Sequence, residues 1–300
     1  MNLSVDFAGI QMKNPVTTAS GTFGSGAEYS EFVDLGALGA VTTKGVASVP
    51  WPGNKTPRIC ETYGGMLNAI GLQNPGIDLF AERDIPFLRK YDTRIIVNVC
   101  GRTLEEYVEV VKRLASEDVD LLEINISCPN VEAGGLAFGQ DPKMVENITR
   151  RIKDVAKQPV IMKLSPNVTD IALMAKAAEA GGADAVSLIN TLTGMKIDIY
   201  RRTFALANKT GGMSGPAVKP VAVRMVYQTA QAVKIPVLGM GGICTAEDAL
   251  EFIMAGASMV AVGTANFHNP TATVDIIKGI EDFMRNNKVE DIQELIGCVK

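Results

Sequence analysis

Short β-branched apolar runs recur along the chain, and longer segments of helical spacing alternate with them. The runs fall at 16–19, 40–43, 95–97, 121–124, 160–162, 185–189, 236–240 and 259–262. Runs of this length and composition, bounded by Gly, Asn or charge, predict strands. Between them, 104–116 predicts a helix capped by Thr103, with Glu105 and Glu106 in the first turn. The segment 142–157 follows Asp141 and places Pro142 at the first helical position. Further helices are predicted at 171–180, 220–233 and 246–255, with Gly181-Gly182 and Gly256 where left-handed C-caps are expected. Strand–helix alternation repeated about eight times predicts a parallel sheet closed into one (β/α)8 barrel of the α/β class. No linker or low-complexity stretch divides the chain, so 1–300 reads as a single domain. The segment 45–94, rich in Gly and Pro, is expected to be an elaborated loop over the barrel mouth. The acidic stretch 281–294 reads as a solvated helical face.

Composition narrows the function. Hydrophobic residues make up 47% and charged residues 21%, enough for a large core. A net charge of −4 with no Lys/Arg-rich run argues against a nucleic-acid partner. The N-terminus lacks the basic start and apolar stretch of a signal peptide. No apolar run approaches the roughly 20 residues that span a bilayer. Cys60, Cys100, Cys128, Cys244 and Cys298 are scattered and show no C-x-x-C pair. That pattern favours reduced thiols in a cytoplasm and offers no metal site. His268 is the only histidine and reads as a surface or packing residue, so His-based chemistry has little to draw on.

In such a barrel, ligands bind at the C-terminal ends of the strands. The residues just past each predicted strand are Ser20-Gly21, Lys44-Gly45, Asn98, Asn125 with Cys128, Lys163, Asn190-Thr191, Gly241-Gly242 and Gly263-Thr264. Amides and two lysines gather there without a carboxylate, which points to an anionic or carbonyl-rich ligand. GMGGI (239–243) and VGT (262–264) suit the phosphate site that barrels often build after strands seven and eight, although glycines at strand ends also serve turns. INISCPN (124–130) places Cys128 in an active-site loop between Asn125 and Asn130, ahead of VEAGGLAFG (131–139). A lone cysteine also serves as a small buried hydrophobe, but this position favours a catalytic one.

GTFGSG (21–26), TTKG (42–45), MLNAIGLQNPG (66–76), NISCPN (125–130), KLSPNVTDI (163–171), INTLTG (189–194), GGMSGPAVKP (211–220), GMGGI (239–243) and AVGTANF (261–267) together resemble the class 1 dihydroorotate dehydrogenases. The cysteine stands where class 2, membrane-associated relatives use serine. KLSPNVTDI and GGMSGPAVKP are more similar to the NAD-linked class 1B catalytic subunit than to the fumarate-linked class 1A.

The resemblance implies an FMN-dependent oxidoreductase that converts dihydroorotate to orotate in pyrimidine biosynthesis. By similarity, Ser20, Lys44, Gly45, Asn98, Asn125, Lys163, Ile189, Gly215, Gly241, Gly242, Gly263 and Thr264 would bind FMN. Lys44, Asn68, Ala69, Ile70, Gly71, Leu72, Asn125, Asn190 and Thr191 would hold the substrate. Cys128 would be the general base, and 131–139 the lid. The chain has no G-x-G-x-x-G fingerprint and no cysteine cluster, so class 1B implies a partner subunit carrying FAD, a [2Fe–2S] cluster and the NAD+ site. The implied assembly is a cytoplasmic heterotetramer built on a homodimer of this chain. The alternatives are a class 1A homodimer using fumarate, a redox-silent phosphate-binding lyase or isomerase, and a flavin-carrying scaffold without catalysis.

Overall fold

The computed structural model describes residues 1–127 and 138–299. Eight parallel strands close into a barrel: β1 (Val16–Thr18), β2 (Ala40–Thr42), β3 (Arg94–Val99), β4 (Leu121–Asn125), β5 (Val160–Lys163), β6 (Ala185–Leu188), β7 (Val237–Met240) and β8 (Met259–Val262). Each strand pairs with its neighbours in sequence, and β8 pairs with β1 to complete the ring. All eight predicted runs are barrel strands. Their residues are buried on both faces, which is why they read as near-continuous apolar runs rather than alternating ones.

The outer helices take up the predicted segments. They are α1 (Leu104–Leu114), α2 (Pro142–Lys153), α3 (Ile171–Ala180), α4 (Lys219–Ala230), α5 (Ala246–Met254) and α6 (Ala272–Asn287). In α1, Tyr107, Val110, Val111 and Leu114 form the buried stripe that faces the sheet. The Thr103 hydroxyl accepts the Glu106 N–H, and the Asp141 carboxylate accepts the Lys143 N–H at the start of α2. Four of the predicted helices run one to four residues past their observed ends, because the last turn gives way to tighter bonding there (Ala115 N–H bonds Lys112 O). Gly181 is itself right-handed (φ −74°), and the left-handed turns are made by Gly182 (φ 92°) and Gly256 (φ 116°).

The structure corrects two expectations. The segment 45–94 carries a β-hairpin, Ile59–Thr62 with Gly65–Asn68, and a helical run from Ile77 to Leu88 that includes one π-helical turn. The hairpin pairs with Thr210–Ser214, which in turn pairs with Leu192–Met195, giving a four-stranded antiparallel sheet above the barrel. Its strands come from two distant insertions, so no local pattern announced it. The acidic stretch 281–294 is α-helical to Asn287 and enters a 3-10 turn at Ile292. Met284 and Ile292 are buried within it, so only part of that face is solvated.

Candidate active site

A cavity of about 1220 Å³ opens at the C-terminal end of the barrel, beneath the four-stranded sheet. Ser20, Lys44, Asn125, Lys163, Ile189, Gly215, Gly241, Gly242, Gly263 and Thr264 all border it. Asn68, Ala69, Ile70, Gly71, Leu72, Asn190 and Thr191 border the same cavity. Gly45 and Asn98 do not; they lie one layer behind its wall. Cys128 lies outside the described residues, as do residues 131–137 of the expected lid. Phe138–Gln140 is a short 3-10 turn.

One end of the cavity is built from backbone. Gly215, Gly241 and Gly242 have φ values of 104°, 129° and 83°. A Cβ on Gly242 would fall 2.8 Å from Gly215 O and 2.9 Å from Lys219 Cβ, so only glycine lets these chains meet. Thr264 Oγ donates to Ser214 Oγ at 2.7 Å, and the short helix Ala265–His268 follows directly. Glycine turns, hydroxyls and a short extra helix after β8 make a phosphate-type cradle. Ser214 lies on the cap sheet and was missed from the sequence. His268 is exposed at the cavity rim, so it is a surface residue, but one beside the site.

The other end is built from side-chain amides. Asn125 Oδ1 accepts from Ser127 Oγ at 2.7 Å and from Asn190 Nδ2 at 3.4 Å, and Asn190 Nδ2 also donates to Ser127 Oγ. Tyr107 Oη donates to Asn125 O at 2.6 Å and pins the end of β4. Asn167 Nδ2 donates to Thr191 O at 3.0 Å, while Asn68 Nδ2 donates to Gly212 O at 3.4 Å. Ser127 and Asn167 escaped the sequence reading, although each lies within four residues of a strand end.

Two lysines also border the cavity, Lys44 and Lys163. Burial lowers the pKa of Lys44 below the ordinary lysine value; Cys100 pulls it back upward and Lys163 adds to the lowering. Lys44 borders the cavity, where a positive side chain suits an anion. Lys163 Nζ instead lies 3.3 Å from Glu123 Oε2, and both side chains are almost wholly buried.

Glu61 borders the cavity, which corrects the expectation of a site without carboxylates, and behind Lys163 stands Glu123. It is fully buried, and its two oxygens also accept from Asn98 Nδ2 at 2.6 Å and Ser187 Oγ at 2.7 Å. A charge in the middle of LLEIN was the signal: buried carboxylates need partners, so this one had to face polar groups inside the barrel. Its bond from Asn98 fixes that amide's orientation and leaves Asn98 Oδ1 buried with no partner. A Cβ on Gly45 would lie 2.9 Å from that oxygen. No cluster of three or more potential metal ligands occurs among the described residues.

The chain matches the dihydroorotate dehydrogenase family over residues 2–284. It is 75% identical to the "Dihydroorotate dehydrogenase B (NAD(+)), catalytic subunit" of Lachnoclostridium phytofermentans, covering 100% of both chains. It is 66% identical to the protein of the same name from Alkaliphilus metalliredigens, covering 100% of this chain and 99% of that one. A crystal structure of DHODH from Eimeria tenella in complex with ferulenol superposes with a TM-score of 0.82 at 22% identity, covering 99% of this chain and 88% of that one, which supports the barrel.

Proposed function

The chain belongs to the dihydroorotate dehydrogenase family, and from that premise we propose that it is the FMN-binding catalytic subunit of an NAD+-linked, class 1B enzyme oxidising dihydroorotate to orotate. The observation that carries the reading is a single cavity bordered by a glycine–hydroxyl cradle, an amide cluster and two lysines. The residues present fit FMN. The cradle of Gly215, Gly241, Gly242, Gly263 and Thr264 suits its phosphate, where added Cβ atoms at Gly215 and Gly242 would collide with backbone; Gly45 and Asn98 belong to the proposed set although neither borders the cavity. Ser20, Lys44, Asn125, Lys163 and Ile189 complete the proposed set.

When bound, FMN supplies the hydride acceptor. The chain does the rest. Asn68 through Leu72, Asn125, Asn190 and Thr191 hold the ring amides and carboxylate of the substrate, since amide side chains both donate and accept. Lys44 lies within reach of both ligands. Lys163 offers a preorganised positive donor where negative charge develops. Cys128, outside the described residues, is the proposed base that removes the proton from C5 of dihydroorotate.

Electrons leave through a partner subunit carrying FAD and a [2Fe–2S] cluster, in a heterotetramer around a homodimer of this chain. The names of the relatives, each a catalytic subunit tied to NAD(+), support that acceptor over fumarate. Residues 1–300 act as one domain. No helix of the described residues is long and apolar enough to cross a membrane. The proposed place of action is the cytoplasm.

Anaerobic titration of the purified yellow protein with dihydroorotate tests the reading. Bleaching of the flavin band is expected. A colourless protein that stays inert after FMN is added would overturn it.

A further inference from the structure

Four adjacent strands contribute one polar layer to the barrel interior: Asn98 on β3, Glu123 on β4, Lys163 on β5 and Ser187 on β6. Asn98 is the cross-strand partner of Glu123, and Lys163 is that of Ser187. Ser187 and Glu123 are two strands apart, so their 2.7 Å bond can form only through the interior. Glu123 therefore sits at the hub. One oxygen takes Ser187, the other takes Asn98 and Lys163. Only Lys163 and nothing else in this layer borders the cavity.

We propose that Glu123 is a positioning residue that aims Lys163 at the bound flavin and cancels its charge, so that the site offers a directed donor rather than a bare cation. This rests on the flavoenzyme reading above. The argument is electrostatic. An uncompensated ammonium beside the flavin would favour its reduced, more negative form and raise its midpoint potential. A flavin that must hand electrons onward to a nicotinamide needs the opposite, a low potential. A buried carboxylate at 3.3 Å achieves this while the ammonium keeps its hydrogen-bonding geometry. Three donors on the carboxylate make its burial tolerable, because a buried charge left without partners is strongly unfavourable.

The experiment uses the FMN-loaded holoenzyme and reads flavin content, the dissociation constant of the sulfite adduct and the midpoint potential. Sulfite affinity and potential both report positive charge near the flavin. In Glu123→Gln, which keeps the shape and removes the charge, sulfite should bind roughly tenfold more tightly. The potential should rise by a comparable factor, about 30 mV for a two-electron couple. Glu123→Asp, which keeps the charge and changes the shape, should stay within about threefold of wild type. A packing role predicts the reverse order. Sulfite affinity and potential of Glu123→Gln within twofold of wild type, or a shift in Glu123→Asp as large as that in Glu123→Gln, would overturn the proposal. If Glu123→Gln does not fold, redox-difference infrared spectra of wild type and Glu123→Asp decide. An ionised carboxylate band that moves on flavin reduction, and moves differently in Glu123→Asp, supports it; no such band overturns it. Wild-type protein that holds no flavin would instead sink the underlying reading, so the two failures are distinct.

Discussion

The two ends of the cavity solve the problem of holding a ligand in different ways. The cradle at β7 and β8 is made of backbone, and its specificity lies in the absence of side chains at Gly215, Gly241 and Gly242. The amide end is made of side chains that hold one another: Asn125, Ser127 and Asn190 share bonds, and Asn167 braces Thr191. Half of that end, Asn68 through Leu72, belongs to the cap insertion rather than the barrel. A backbone cradle is rigid and tolerates little change. A side-chain cluster tolerates the loss of a member and can be tuned for the molecule it discriminates.

The largest expected effect is at Cys128, the proposed general base. Cys128→Ala should leave FMN content unchanged and slow flavin reduction by dihydroorotate about 10²–10⁴-fold, the usual contribution of a general base. In wild type, stopped-flow reduction should accelerate as pH rises toward the thiol's ordinary pKa of about 8.5. A rate independent of pH with chemistry limiting, or an alanine variant of near wild-type speed, would remove Cys128 from the mechanism.

Next comes the cradle. Gly242→Val places a branched side chain at φ 83° and drives its Cβ to 2.8 Å from Gly215 O. Backbone strain of this kind costs of order 1–3 kcal/mol. FMN retention should fall by roughly tenfold to a hundredfold, and the apo barrel should melt lower. Equilibrium dialysis measures the first and calorimetry the second. Normal FMN binding would show that the phosphate sits elsewhere in the cavity.

The amide end should respond differently. Asn190→Ala removes the donor to Asn125 and Ser127 and the acceptor of the Thr191 N–H. A lost hydrogen bond of this type is worth about 0.5–1.5 kcal/mol, so KM for dihydroorotate should rise by roughly twofold to tenfold with FMN content intact. Loss of FMN instead would mean that the two ends are not separable.

These regions also differ in how far they could be read from the sequence. The barrel was legible because each doubly buried strand is a compact apolar run and four of the six outer helices carry a side-chain N-cap, as Thr103 and Asp141 do. The cradle was legible because GMGGI and VGT are contiguous. The cap sheet was not, since Gly65–Asn68 and Thr210–Ser214 pair across more than a hundred residues and neither alternates clearly. Glu123 was hidden for a different reason. It lies inside a strand, whereas ligand-binding residues of a barrel are expected past the strand ends. A charged residue amid apolar neighbours is a long-range statement about partners, and here the partners are Asn98, Lys163 and Ser187 on three other strands.

The smallest expected effect belongs to Lys44, which borders the cavity. Burial lowers its pKa below 10.5, so the folded protein holds this proton less tightly than the unfolded chain. The unfolded state then binds more protons over the interval between the two values, and stability rises with pH across that interval. Below the folded pKa both states are protonated and the full penalty of burying the ammonium is present; above 10.5 both are neutral and it is gone. Lys44→Met should flatten that rise in the apo protein, measured as urea midpoints across mildly to strongly basic pH. An anionic ligand beside Lys44 favours the charged form and reverses the shift. Orotate binding should therefore take up a fraction of a proton near the folded pKa, and Lys44→Met should abolish that uptake in calorimetry repeated in buffers of different ionisation enthalpy. Proton uptake that persists in the variant would assign it to another group and leave Lys44 as a contact of the cofactor end alone.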